Sequence, residues 1–176
     1  MSVAKRYAKA IFELAMEQGR LEAIGADLAH VRESLDQHPE WGAFLANPQV
    51  SVRDKQEALR QVYEGKVAPE VLQLLAIMLK NRRAPLIAAV VDEYQALLDE
   101  HQGIVHAYVS SALPLTEAEE ANVAAALEKL TGKTVVVHKD VDPGLIGGIL
   151  VRIGDRLYDG SVRGMLQRLE KQLITA

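Results

Sequence analysis

A chain of 176 residues can build one ordinary core or two small ones, and 49% apolar with 25% charged side chains is the balance of a folded protein, not a disordered one. A formal net charge of −4 argues against nucleic acid as a partner, because a phosphate-binding domain needs a surplus of Lys and Arg on one face. The absence of cysteine excludes disulfides, thiolate catalysis and Cys-based zinc sites, and the 5% of aromatic residues leaves the cores to aliphatic side chains.

At the N-terminus Lys5, Arg6 and Lys9 mix with Glu13 and Glu17, unlike a secretory leader or an acid-poor transit peptide. Helix then follows helix. Apolar spacing predicts one over Val3 to Gln18 and another over Leu21 to Gln37, where Leu21, Ile24, Leu28, Val31 and Leu35 recur at intervals of three and four. Pro39 to Leu45 is a short helix holding the only tryptophan, Trp41. Ser51 with Asp54 three residues on starts a helix running through Leu59 and Val62 towards Gly65. Pro69 suits a first helical residue and opens Glu70 to Lys80; Pro85 similarly opens a helix through Val90, Tyr94 and Leu98 to about Gln102. Six helices with short connections predict a bundle over residues 1–102.

After Gly103 the period changes. Ile104 to Ser111 is rich in strand formers, Thr116 with Glu119 forms a capping box for a helix to about Leu130, and Thr134 to His138 reads as a short strand. Asp142-Pro143-Gly144 makes a turn, and Gly147-Gly148 admits a close backbone approach. Ile149, Val151 and Ile153 then alternate as strand positions, and Gly154-Asp155 suits a hairpin turn. Asp159-Gly160 ends the return strand before Ser161 caps a last helix with Leu166, Leu169 and Leu173 on one stripe. Residues 103–176 are thus expected to form a small α/β domain with a short sheet and two helices, and the chain as a whole is α+β.

Two helices carry more apolar surface than a bundle uses. At 100° per residue Val3, Ala4, Tyr7, Ala8, Ala10, Ile11, Phe12, Leu14 and Ala15 cover roughly 200°, twice the usual stripe. From Val71 to Leu79 only Gln73 is polar, so the fifth helix is either central to the bundle or partly covered by another chain. The longest unbroken apolar runs, such as Leu74 to Leu79, fall far short of the roughly 20 residues that span a bilayer, so membrane association is expected only through a partner.

Catalytic and ligand patterns do not assemble. Gly144 to Gly148 lacks the Lys-Ser or Lys-Thr pair and following helix of a phosphate loop. Asp140, Asp142 and Gly144 imitate the start of a calcium loop, but the twelfth position is Val151. His30, His38, His101, His106 and His138 have no metal-ligand spacing, and Ser161 lacks a nucleophile elbow. Glu117, Glu119 and Glu120 favour a helix start, and Arg82 and Arg83 read equally as an anion site or a solvated helix end. No catalytic residue, metal ligand or cofactor is expected.

The run from Asp142 to Gly164 resembles, nearly residue for residue, the signature of the delta subunit of the bacterial F-type ATP synthase, the homologue of the mitochondrial oligomycin-sensitivity-conferring protein. Ala4 to Ala15 is similar to the opening helix of that family, and Ser111-Ala112-Leu113-Pro114-Leu115-Thr116 to its mid-chain marker. Gly144, Tyr158 and Met165 depart from the family pattern. The resemblance implies a stator subunit of a proton-transporting rotary machine, tying the catalytic head to the peripheral stalk so that the head does not turn with the shaft.

It implies that the helical domain receives the N-terminal helix of an alpha subunit between its first and fifth helices, through Tyr7, Ala10, Ile11, Leu14, Ile77, Asn81 and Arg83. It implies that the second domain engages the C-terminal ends of the b-subunit dimer, with Asp142, Gly147, Gly148, Asp159, Gly160 and Ser161 as structural signature residues. The place implied is the cytoplasmic face of the plasma membrane, peripheral and within the complex. Without the resemblance the residues also suit a free-standing helical adaptor, and an enzyme ranks behind both.

Overall fold

The computed structural model describes residues 2–166, and the chain divides into two compact units, Met1–His101 and Gln102–Ala176. The first unit contains α1 (Val3–Glu17), α2 (Leu21–Gln37), α3 (Pro39–Ala46), α4 (Val52–Tyr63), α5 (Pro69–Lys80) and most of α6 (Ile87–Gln102). Their starts follow the chemistry of the sequence. Ser2 and Ser51 each accept a hydrogen bond from the amide three residues on, and Pro39 and Pro69 occupy first-turn positions where a missing N–H costs nothing. Pro85 does not open α6. It sits inside a separate 3-10 turn, Ala84–Leu86, because the chain must first leave α5 through Arg82, whose φ is +56°.

One apolar core holds these helices together. Ala4, Ala8, Ile11 and Ala15 form the inward face of α1, and the small alanines let α1 approach α5. Val71, Leu74, Leu75, Met78 and Leu79 are buried on α5, so that helix is central over most of its circumference. Polar groups bind the elements at chosen points. The Ala68 amide donates to Asp27 (2.7 Å), the Tyr94 hydroxyl to the Leu21 carbonyl (2.8 Å), and the Trp41 indole to the Tyr63 hydroxyl (3.1 Å). Burial pushes the Tyr94 phenol up to about 12. Arg32 joins α2 to α6 through Asp92, while also meeting Asp36 on its own helix.

The second unit contains β1 (Ile104–Ser111), α7 (Glu117–Thr131), β2 (Thr134–Val141), β3 (Ile149–Ile153) and β4 (Arg156–Asp159), in a sheet of order β2-β1-β3-β4. β1 pairs parallel with β2 from Ile104↔Thr134 to Ser111↔Val141, and antiparallel with β3; β3 and β4 form a hairpin. A parallel pair needs a crossover, which α7 supplies. It begins with the predicted capping box, whose Thr116 amide and hydroxyl both donate to Glu119 and hold that carboxyl below the usual carboxylate range. Ala107, Val109, Leu127, Val135 and Val151 make the core beneath it.

β2 runs to Val141, three residues beyond the predicted His138, because Lys139 to Val141 continue the pairing with β1 on an edge where polar side chains are tolerated. Val162 to Leu166 begin a further helix after Ser161; Leu169 and Leu173 lie outside the described residues.

Candidate functional site

The sequence singles out two groups of residues, one in each unit. The face of α1 and α5 comes first. Tyr7 is half-buried, and its hydroxyl accepts a hydrogen bond from the Asn81 amide nitrogen at 3.0 Å, joining α1 to the end of α5 across 74 residues of sequence. Tyr7, Ala10 and Arg83 line a shallow depression of about 280 Å³ together with Val3 and Arg6. Leu14 and Ile77 lie outside that depression and are 38% and 43% exposed, large apolar side chains left open to water. Ile11 is different: at 4% exposure it belongs to the core and faces α1's own neighbours. It supports the face from beneath and is not part of its surface.

The exposed set is thus mixed: Tyr7 and the small Ala10 share a depression with the guanidiniums of Arg6 and Arg83, and Leu14 and Ile77 add two exposed aliphatic side chains outside it. Among the described residues no acid–base pair or nucleophile lines its depression. Physically it suits the apolar stripe of an amphipathic helix whose flanks carry negative charge. A wider cleft of about 630 Å³ lies elsewhere in the first unit, with His30, Trp41, Phe44, Ala58, Val62 and Lys66 on its walls, and shares none of the singled-out residues.

The second group ties the ends of β2, β3 and β4 together. Asp142 accepts from the Gly144 amide (2.9 Å), while its own amide donates to the Ser111 carbonyl (2.8 Å). Gly147 accepts from the Val162 amide (2.9 Å), and the Gly160 amide donates to the Ile149 carbonyl (3.0 Å). Gly148 has φ +73°, and a Cβ there would collide with the Gly160 carbonyl oxygen and come within 3.0 Å of Ser161 Cα. Asp159 accepts from both the amide and the hydroxyl of Ser161 (2.9 and 2.6 Å), and the Ser161 oxygen in turn accepts from the Gly164 amide (3.0 Å). Gly164 completes this knot, because a side chain there would run into the Asp159 carboxylate. The group is a clasp of backbone and short side chains, and Ser161 is a cap within it, not a nucleophile.

One contact escaped the sequence reading, which treats the five histidines as scattered. His106 on β1 and His138 on β2 come together with Nδ1 and Nε2 2.8 Å apart, and Tyr108 stacks on His138 with ring centroids at 4.9 Å. The Arg152 guanidinium lies over the Tyr108 ring, 5.0 Å from its centre. The register carries this, since Tyr108 pairs with His138 on one side and Arg152 on the other. Among the described residues no group of three or more His, Cys, Asp or Glu side chains converges.

The profile of the family described as "ATP synthase delta (OSCP) subunit" matches residues 3–173. Among relatives, the ATP synthase subunit delta of Halalkalibacterium halodurans is 37% identical over 175 residues, covering 99% of this chain and 96% of that one. The subunit of the same name from Symbiobacterium thermophilum is 40% identical over 175 residues, covering 99% and 94%. Among solved structures, a chain of the Toxoplasma gondii mitochondrial ATP synthase hexamer is similar with a TM-score of 0.75 and 29% identity, over 99% of this chain and 98% of that one.

Proposed function

Because this chain belongs to the ATP synthase delta (OSCP) subunit family, we propose that its helical unit is the clamp by which the stator grips the catalytic head. The chain is a peripheral-stalk component of the ATP synthase, structural rather than catalytic. A stationary strut must resist the torque of a turning shaft, so its work is done by contact surfaces and not by reacting groups. The six α-helices of the first unit act as one bundle over residues 1–102, and the receiving surface is formed by Tyr7, Ala10, Leu14, Ile77, Asn81 and Arg83. The guest is the N-terminal helix of one alpha subunit.

The observation that carries this reading is large apolar surface left open on two packed helices: Leu14 and Ile77 stand exposed while the Asn81–Tyr7 hydrogen bond fixes the face. Aliphatic anchors supply affinity, and Arg6 and Arg83 at the rim set register by attracting acidic residues of the guest. Ala10 leaves the room that a helix backbone needs for close approach.

Residues 103–176 hold the C-terminal ends of the b-subunit dimer, which carry the load to the membrane. Among the described residues no helix is long and apolar enough to cross a membrane. Attachment at the cytoplasmic face of the plasma membrane therefore runs through the complex. For contacts that outlast many turnovers, slow dissociation and nanomolar affinity follow, about 12 kcal/mol per contact.

Titration calorimetry of the full chain with the alpha N-terminal peptide tests the placement. Ala10→Asp puts bulk and a desolvated charge at the gap and should abolish binding, while circular dichroism stays that of the folded chain. Unchanged affinity in that variant refutes the face proposed.

A further inference from the structure

The first unit contains a third, more enclosed cavity of about 260 Å³, between the α3–α4 connection and the turn that leaves α5. Lys55 lines it and is only 8% exposed. Among the described residues the Lys55 side chain makes neither a hydrogen bond nor an ion pair, and Lys55 is not one of those with a contact left unstated. An ammonium withdrawn from water without a partner is costly. No fully enclosed side-chain nitrogen or oxygen among the described residues lacks a hydrogen bond, so the Lys55 nitrogen keeps some contact with solvent, and Lys55 is one of the residues that line this cavity.

Two further sources of positive potential meet there. Arg82 also lines the cavity and is held at φ +56°, a conformation that L side chains rarely adopt. Ser51 and Val52 bring the N-terminus of the 12-residue helix α4, where Ser51 caps only the Asp54 amide and accepts the Lys55 amide with its carbonyl. The helix dipole and the first-turn N–H groups favour an anion at that point. Among the described residues no carboxylate lines the cavity to neutralise these groups.

We propose that this cavity binds a small carboxylate with an apolar body. The sign of the charge follows from Lys55, Arg82 and the end of α4. The apolar body follows from Leu45, Pro48, Val50, Leu79, Ala84 and Pro85, which form most of the remaining wall. Phosphate would have to leave oxygens against those side chains without donors, whereas a carboxylate offers two oxygens to one cationic end and needs nothing at the other. Two sources share this chemistry, a free short-chain acid and the C-terminal carboxylate of a peptide.

The test uses the full chain, isotopically labelled, titrated at constant ionic strength with hexanoate, N-acetyl-leucine or inorganic phosphate. Hexanoate or N-acetyl-leucine should shift the amides of Val52, Arg53, Leu79 and Ala84 saturably, and whichever binds more tightly identifies the free acid or the peptide terminus as the source. Lys55→Met keeps the buried stem, removes the charge and should weaken binding at least tenfold while raising the melting temperature. Arg82→Gly relieves the backbone, removes the guanidinium and should weaken binding severalfold in a chain that is more stable than wild type. The proposal is overturned if neither carboxylate moves those amides at about 10 mM. It is equally overturned if phosphate binds as well as both, or if binding survives intact in Lys55→Met and Arg82→Gly.

Discussion

Gly148→Ala is the substitution whose effect the clasp in the second unit specifies most fully. Two costs add. At φ +73° an L side chain is strained by about 1–2 kcal/mol. The new Cβ also strikes the Gly160 carbonyl, which is backbone and cannot rotate away, and relief by shifting it pulls on the Gly160–Ile149 and Val162–Gly147 hydrogen bonds. Forced overpacking of this kind costs about 1–3 kcal/mol, for a total of about 2–5.

Gly154→Ala isolates the first cost. Its φ is +54° and a Cβ there meets nothing within 4 Å, so about 1–2 kcal/mol is expected from strain alone. Hydrogen exchange of the slowest amides in β1 and β3 is the assay, since Trp41 sits in the first unit and does not report on the sheet. Exchange in Gly148→Ala should exceed that in Gly154→Ala by roughly tenfold for each 1.4 kcal/mol of steric cost. Equal exchange in the two variants would mean that the approach of Gly148 to Gly160 is not close, and the account of the clasp would fail.

Asp27→Ala strands the amide of Ala68, a residue only 7% exposed, and should cost about 2–3 kcal/mol in urea unfolding followed by Trp41 fluorescence, with Asp27→Asn recovering part of it. Tyr94 gives a pH dependence with a definite sign. Its folded pKa is raised to about 12 from 10.0, so the unfolded chain loses the proton first, and stability is intact below pH 10 and falls as pH rises towards 12. That loss should be absent in Tyr94→Phe, which instead pays a constant penalty for the missing hydrogen bond to Leu21; a slope unchanged between the two proteins refutes the assignment.

Where local chemistry decides a feature, the sequence is legible. The spacing of Leu21 to Leu35 marks α2 from Leu21 to Gln37, and Thr116 with Glu119 forms the capping box in full. Gly148 reads correctly as a point of close backbone approach because few other reasons place two glycines ahead of a strand. Features set by tertiary choice are not legible. Ile11 and Leu14 are both apolar and on one broad flank of α1, and only the position of the core decides that Ile11 turns inward while Leu14 stays exposed. The His106–His138 contact depends on the parallel register of β1 and β2, which no pattern in either strand encodes. Pro85 could have opened α6 by itself, but the left-handed turn at Arg82 inserts a 3-10 step first.

The sheet order puts the earliest strand of the second unit, β1, in the middle, between a neighbour that follows at residues 134–141 and another that arrives only at 149–153. During synthesis one side of β1 therefore has its complement well before the other. Until the hairpin has emerged, a row of unpaired amides and carbonyls on a partly apolar strand is available to any extended segment nearby. Nascent chains stalled between Val141 and Ile149 should consequently be the most adhesive species this polypeptide passes through, and the ones most dependent on a holding chaperone.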